Sequence, residues 1–397
     1  MRILYSHRVQ SRDGQSVHIE ELVAAFRREG HEVLVVGPGL YNRATFGGES
    51  GLVPLVRRFL PDWSAELAEI LYSVVAYRRL QRAYRRFSPD IIYERYNLYH
   101  LAGTLLRRRY RTRLYLEVNS PLAEERARFG SLRFHRLASK LERYVWQSAD
   151  GILVVSEVLK QYVAATGVSE AKITVVPNGV DLDRFPSDTG AQRMGAAVTV
   201  GFIGFIRDWH GLDDVIAGLG EEPHKETIRL VIAGDGPARP SLEDQAIRLG
   251  VAGQISFLGL QQRQNISELI QSFDIAIQPQ SVAYASPLKL FEYMACARAI
   301  IAPDQPNIRE ILDHNETAIL FDPSDPRALW HAIKQLAAQP ELRRHLGCAA
   351  RRTLDERDYT WQGNVMRIMK TVAASKVPDS PAKHGLAHAL DAPIEPQ

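Results

Sequence analysis

Short apolar runs alternate with longer stretches of helical periodicity through most of the chain. In the first half the strand-like runs are Ile3–Ser6, Glu32–Val36, Asp90–Tyr93, Arg113–Val118, Gly151–Val155 and Ile173–Val176. In the second half they are Val198–Gly204, Arg229–Gly234, Ile255–Gly259, Asp274–Gln278, Ala299–Ala302 and Ala318–Phe321. Runs of this length, separated by amphipathic stretches, predict parallel strands covered by helices on both faces. The fold class is therefore α/β, as two doubly wound, Rossmann-like domains facing across a cleft. The first domain is expected over residues 1–186 and the second over 197–358. Between them the Pro, Ser, Asp and Gly residues from Pro186 onward predict a linker at 187–196. Residues 359–376 are expected to form a helix that crosses back to the first domain. From Val377 the chain is rich in Pro, Ala and Asp without periodicity, which predicts a disordered tail at 377–397. In domains of this type ligands bind at the carboxyl ends of the strands.

At 397 residues the chain has room for two well-filled cores. Its two cysteines, Cys296 and Cys348, are far apart and lack CxxC spacing. That excludes a disulfide framework and a cysteine zinc site, and fits a reducing, cytoplasmic compartment. The first residues, MRILYSHRVQ, lack the apolar core of a signal peptide. No run reaches the roughly 18 apolar residues of a spanning helix.

The net charge of +3 hides an uneven distribution. Residues 77–87, YRRLQRAYRRF, predict a two-sided helix. Tyr77, Leu80, Tyr84 and Phe87 share one face; Arg78, Arg79, Arg82, Arg85 and Arg86 share the other. Arg57, Arg58 and Arg107 to Arg109 add to the charge. Near an anionic membrane each such residue is attracted by ~1 kcal/mol. The expectation is peripheral docking on the inner face of the plasma membrane. The alternative is an ordinary solvated helix face. Nucleic acid is not supported, because no base-stacking motif or recognition module accompanies the charge.

The segment Ser286–Asp304, SPLKLFEYMACARAIIAPD, reads as a loop, a helix and a buried strand. Pro287 suits an early helical position that needs no N–H donor. A helix N-terminus offers free N–H groups and partial positive charge, which suit a phosphate. Lys289 adds a mobile cation there. Glu292, one turn on, cannot help a phosphate but can accept two hydrogen bonds from a ribose diol. The pattern asks for a nucleoside diphosphate, against the alternative of a buried amphipathic helix with two exposed charges.

Seven runs stand in order: VVSEVLKQYV, KITVVPNGVDLDRF, GFIGFIRDWHGLDDVI, LVIAGDGP, ISFLG, DIAIQP and SPLKLFEYMA. Together they resemble glycosyltransferase family 4, retaining enzymes of the two-Rossmann GT-B fold, over Met1 to about Lys370. The resemblance implies transfer of a sugar from a nucleotide donor to an acceptor, without a metal or other cofactor. UDP- or GDP-sugars are the expected donors, and a glycan or lipid-linked molecule the expected acceptor. It further implies that Glu292 is the second carboxylate of the family's E-x7-E motif and holds the ribose. The first carboxylate would fall at Tyr284, a departure that touches recognition of the donor sugar. A second departure lies after Gly204, where many relatives carry arginine and, before Gly211, lysine. Here those positions are Phe205 and His210, with Arg207 between them.

Arg207, His210 and Lys289 are the catalytic candidates, sharing a diphosphate that gains negative charge as the glycosidic bond breaks. Arginine offers a planar fork to two phosphate oxygens. His210 would help most when protonated. The nucleotide-binding candidates are Glu292, Ser286, Leu288, Gly14, Gly236 and Leu260. Gly14 permits close approach of backbone to ligand in the first strand-to-helix loop. Gly236 and Leu260 stand at carboxyl edges of strands. Tyr284, His18, Asn119 and Glu124 are candidates for the donor sugar or the acceptor. His18 reads equally as a capping or exposed histidine. Glu117 and Glu124 could reach the cleft as nucleophiles. The family's usual front-face mechanism needs none, because the leaving phosphate takes the acceptor's proton. Asp181-Leu182-Asp183 mimics a metal-binding pair but precedes the linker, and reads as loop or capping residues. A sugar-nucleotide epimerase and a non-catalytic nucleotide-sugar binder are the alternative functions.

Overall fold

The computed structural model describes residues 1–9, 14–38, 62–129, 132–187, 197–221 and 228–375. Arg57, Arg58, the expected linker from 188 to 196 and the expected tail from 377 lie outside the described residues. The described chain forms two six-stranded sheets, each wholly parallel. The first contains β1 (Arg2–Ser6), β2 (Glu32–Val36), β3 (Ile91–Arg95), β4 (Arg113–Val118), β5 (Gly151–Val154) and β6 (Ile173–Val175), in the order β2-β1-β3-β4-β5-β6. The second contains β7 (Val198–Ile203), β8 (Ile228–Ala233), β9 (Ile255–Gly259), β10 (Ile275–Ile277), β11 (Ala299–Pro303) and β12 (Ile319–Phe321). Its order is β12-β11-β10-β7-β8-β9. Most strand residues are buried by helices on both faces, which is why they read as uninterrupted apolar runs.

Strand order reverses between β1 and β3 in the first sheet and between β7 and β10 in the second. At such a point neighbouring connections leave on opposite faces and open a crevice at the carboxyl edge. In the second sheet β10 pairs with β7 only through Ile275–Val200 and Ala276–Gly201. Beyond those pairs the strands part, and the hydroxyl of Tyr293 spans the gap. It accepts from the Ile203 N–H at 3.1 Å and donates to the Ile277 carbonyl at 3.5 Å. Tyr293 belongs to the helix Leu288–Ala295, so that helix is seated in the crevice.

The chain crosses between the sheets twice, and the crossings run side by side. Val180 pairs with Thr360 in an isolated bridge. A Cβ at Gly179 would lie 2.7 Å from the Thr360 carbonyl carbon, so only glycine permits this approach. The last helix, Trp361–Ala374, buries Trp361, Val365, Ile368 and Val372 among Ile3, Tyr5, Ile19 and Leu153 of the first sheet and its first helix.

Candidate functional site at the switch point of the second sheet

Three loops at the carboxyl edge of the second sheet are stitched together by their backbones. The N–H of Gly204 bonds the Ala233 carbonyl at 2.9 Å, that of Ile206 bonds Asp235 at 2.9 Å, and that of Gly234 bonds Gly259 at 2.8 Å. Gly234 has φ 141°, and a Cβ there would meet the Gly204 oxygen at 1.9 Å. At Gly236 a Cβ would meet the Ile206 oxygen at 2.1 Å. The glycines thus allow the β7 and β8 loops to pack without side chains between them, forming a glycine-lined floor beside the crevice.

Phe202, at the edge of that floor, organises the cations. The Lys289 ammonium sits 3.8 Å from the centre of its ring, and the His210 ring lies 5.4 Å away. Arg207 is exposed and stacks over Phe205 at 4.9 Å. Arg207, His210 and Lys289 are therefore gathered at one place. Burial pushes the Lys289 ammonium down to about 7, opposed by Glu292. Burial likewise pushes the Glu292 carboxyl up to about 7, opposed by Arg263 and Lys289. Burial thus disfavours the charged form of both groups, and strongly shifted groups in a crevice mark a candidate functional site. Burial, with Lys289 and Arg207, pushes His210 down to about 3. Its Nδ1 accepts the Arg207 N–H at 3.2 Å, so the neutral ring carries its proton on Nε2. His210 is thus a neutral hydrogen-bond donor here, not the extra cation the sequence suggested.

The remaining candidates fall into two groups. Gly14, Ser286 and Leu288 lie near the start of the Leu288–Ala295 helix. A Cβ on Gly14 would stand 3.6 Å from Leu288 Cδ1, across the junction of the two domains. Gly236 lies on the glycine floor, and Leu260, 44% exposed, follows β9. The second group is engaged elsewhere. Tyr284 packs on the first domain, where burial and a hydrogen bond to Glu125 push its hydroxyl above its ordinary value. Glu124 accepts from Tyr162. His18 is buried, with Nδ1 2.7 Å from Asn178 Oδ1 and Nε2 3.2 Å from Glu117 Oε1, and it is neither a cap nor an exposed residue.

Glu117 is a buried hub. It accepts from Arg95, from Tyr5 at 3.2 Å, from Tyr93 at 3.1 Å and from Asn119 at 2.7 Å. Burial alone would raise its carboxyl, but His18 and Arg95 outweigh that and hold it well below the carboxylate range. A carboxylate so fully occupied is a poor nucleophile. The cavity between His18, Glu117, Tyr93 and Trp361 measures about 10 Å³, room for one water at most. Asp181 accepts from Arg28 at 2.9 Å and from the Asp183 N–H at 3.2 Å, a loop role. Among the described residues no group of three His, Cys, Asp or Glu side chains is placed to hold a metal ion.

Among the ties between the domains that sequence reasoning missed is an ion pair of Glu21 with Arg263. Glu21, buried on the first helix, accepts from Arg184 at 2.8 Å and from Arg263 at 2.6 Å. Arg263 also favours the charged form of Glu292. No signal in the sequence connects residues 242 positions apart.

The fold agrees with what the chain is similar to. Residues 12–184 match the family described as Glycosyltransferase Family 4, and residues 195–353 the family described as Glycosyl transferases group 1. The chain belongs to glycosyltransferase family 4 and has its two-domain GT-B fold. An uncharacterized glycosyltransferase of Methanocaldococcus jannaschii is 22% identical over 88% of this chain and 91% of its own length. Sucrose-phosphate synthase from Thermosynechococcus elongatus superposes with a TM-score of 0.75 at 18% identity, over 94% of this chain and 98% of its own. The Anabaena protein HepE, solved in complex with UDP-glucose, superposes with a TM-score of 0.71 at 17% identity, over 94% of this chain and 100% of its own.

Proposed function

We propose that this glycosyltransferase moves a sugar, with retention of its anomeric configuration and without a metal, from a UDP- or GDP-sugar to a glycan or lipid-linked acceptor. The setting would be surface polysaccharide or glycolipid biosynthesis. The observation that carries the reading is the pair Lys289 and His210 on Phe202, with Arg207 beside His210 and Glu292 one turn further along the switch-point helix. The diphosphate would lie on the glycine floor and helix start, and the ribose diol on Glu292. Gly14, Ser286 and Leu288 would border the phosphates, and Gly236 and Leu260 the rest of the nucleotide.

As the glycosidic bond breaks, charge builds on the leaving diphosphate. Lys289 and Arg207 would stabilise it as fixed cations, and His210 through Nε2–H. The full occupation of Glu117 supports a front-face course, in which the leaving phosphate rather than a protein carboxylate accepts the acceptor's proton. The Anabaena relative's complex with UDP-glucose supports a uridine nucleotide first. Tyr284, held on Glu125, is the observation that favours a second reading, a non-catalytic nucleotide-sugar binder.

Membrane docking belongs to the same proposal. Arg78, Arg79, Arg82, Arg85 and Arg86 are all exposed on the helix Asp62–Phe87. Leu67, Leu71, Val74 and Val75, 40–67% exposed, precede them on the same helix. At 100° per residue these apolar positions share the arginines' side, which suits a helix lying in an anionic lipid surface. Among the described residues no helix is long and apolar enough to cross a membrane.

The first test is thermal stabilisation by UDP, GDP and ADP, followed by transfer from their labelled sugars to a membrane lipid extract. A nucleotide at 100 times its Kd adds ~2.7 kcal/mol of stability. The expected result is a shift with one nucleotide that is lost in Glu292→Ala, and label in the lipid fraction. Binding without transfer would leave the non-catalytic reading; no binding would refute the site.

A further inference from the structure

The start of the Leu288–Ala295 helix is tied to the first domain by a buried chain of polar groups. The Asn178 backbone N–H donates to Ser286 Oγ at 3.1 Å, and its side-chain Nδ2 donates to the Ser286 carbonyl. That fixes the amide's orientation, so Asn178 Oδ1 faces His18 Nδ1 at 2.7 Å. His18 Nε2 in turn faces Glu117 Oε1 at 3.2 Å. Glu117, His18, Asn178 and Ser286 are 3–8% exposed. Buried polar groups cost free energy unless paired, and here each link pairs the next. The His18 ring packs edge-on against Trp361 at 5.0 Å, and Asn364 holds the Pro177 carbonyl at 2.6 Å. From the opposite side Asn307 Nδ2 bonds the carbonyls of Val282 and Ala285 at 3.1 and 2.7 Å. The loop ahead of Lys289 is thus pinned at two points, one in each domain. Asn178 sits where the chain crosses over, since Val180 and Phe185 already pack in the second domain's core.

We infer that His18 and Asn178 are positioning residues for the donor diphosphate: through Ser286 they hold the helix start and Lys289 where the second phosphate must sit. The inference rests on the donor site proposed above. It goes beyond that site because neither residue touches the nucleotide. His18, read from sequence as a possible substrate contact, acts instead from behind the helix.

The test uses Asn178→Ala, Asn178→Asp, His18→Leu and His18→Gln in the full chain. Asn178→Asp keeps the size and the bond to His18 but loses the donor to the Ser286 carbonyl. His18→Gln keeps one donor toward Asn178. Calorimetry compares a nucleoside diphosphate with its monophosphate, taking whichever base the wild type binds. The expected result is a tenfold or greater loss for the diphosphate in Asn178→Ala, Asn178→Asp and His18→Leu, a change under twofold for the monophosphate, and recovery in His18→Gln. Equal loss for both nucleotides, or loss for neither, overturns the inference. Hydrogen exchange of the 282–290 amides gives an answer without ligand. Tenfold faster exchange in Asn178→Asp supports the inference, and unchanged exchange refutes it even if no nucleotide binds the wild type. Wild-type binding that survives with unchanged exchange leaves the donor site standing and this inference fallen.

Discussion

Occupation of the site by a nucleoside diphosphate should move protons in a direction that reverses with pH. Burial moves both Lys289 and Glu292 to about 7. A bound diphosphate favours the ammonium, and a bound ribose diol favours the carboxylate. At pH 8 Lys289 is mostly deprotonated before binding, so binding takes up as much as ~1 proton there. Glu292 is already mostly ionised and releases little, leaving a net uptake. At pH 6 the roles exchange and the net change is a release, before the nucleotide's own phosphate adds its share. Above pH 8 the affinity should weaken with rising pH, approaching tenfold per pH unit for one proton taken up, equivalent to ~1.4 kcal/mol. Titration calorimetry in two buffers of different ionisation enthalpy measures the proton count directly. Lys289→Met should abolish the uptake at pH 8, and Glu292→Gln should remove most of the release at pH 6. An uptake that is absent in the wild type, or that persists in Lys289→Met, would refute the assignment of the diphosphate to Lys289.

The same two groups govern the stability of the empty protein. The raised Glu292 value costs stability as pH rises from 4.5 to 7, and the lowered Lys289 value costs stability as pH falls from 10.5 to 7. Their combined contribution is least near pH 7, so thermal unfolding from pH 5 to 9 should show a dip that Lys289→Met/Glu292→Gln flattens; an equal dip in both proteins contradicts the account. Gly234→Ala, whose Cβ would strike the Gly204 oxygen, should destabilise by about 3 kcal/mol and lower Tm by about 6–12 °C. Transfer measured in EDTA should match transfer without it, and a loss restored by one divalent ion would reverse the metal-independent reading. Replacing the five arginines at 78–86 with serine should weaken sedimentation with anionic vesicles but not with neutral ones, and Leu71→Asp should weaken both. Unchanged binding in both variants would remove the membrane from the proposal.

The sheets were legible because most of their strand residues are buried on both faces, so most strands appear as short apolar runs between polar turns. The strand ends were less so. Gly204 and Gly234 read as the last residues of strands, yet both have positive φ and turn out into the loops that form the site floor. The switch-point helix was legible for the same reason as the strands. Leu290, Phe291, Met294 and Ala295 are buried at helical spacing, which leaves Lys289 and Glu292 on the other face. Partnerships across the fold were not legible. Tyr284 stands at the expected spacing from Glu292, but its hydroxyl is taken by Glu125. His18 lies 160 residues from Asn178, and nothing local distinguishes its buried tie from an exposed cap. The helix Asp62–Phe87 hid its apolar stripe because periodicity does not reveal which of two apolar faces meets the core. Tyr77 and Leu80 pack inward, whereas Leu71 is 67% exposed.

The most direct test of the central claim is a crystal structure of the protein with the nucleoside diphosphate that binds best. The diphosphate should lie within hydrogen-bond reach of Lys289 Nζ, Arg207 and His210 Nε2, with both ribose hydroxyls on Glu292. A nucleotide seated at the β1–β3 edge of the first sheet, or one whose ribose lies away from Glu292, would contradict it.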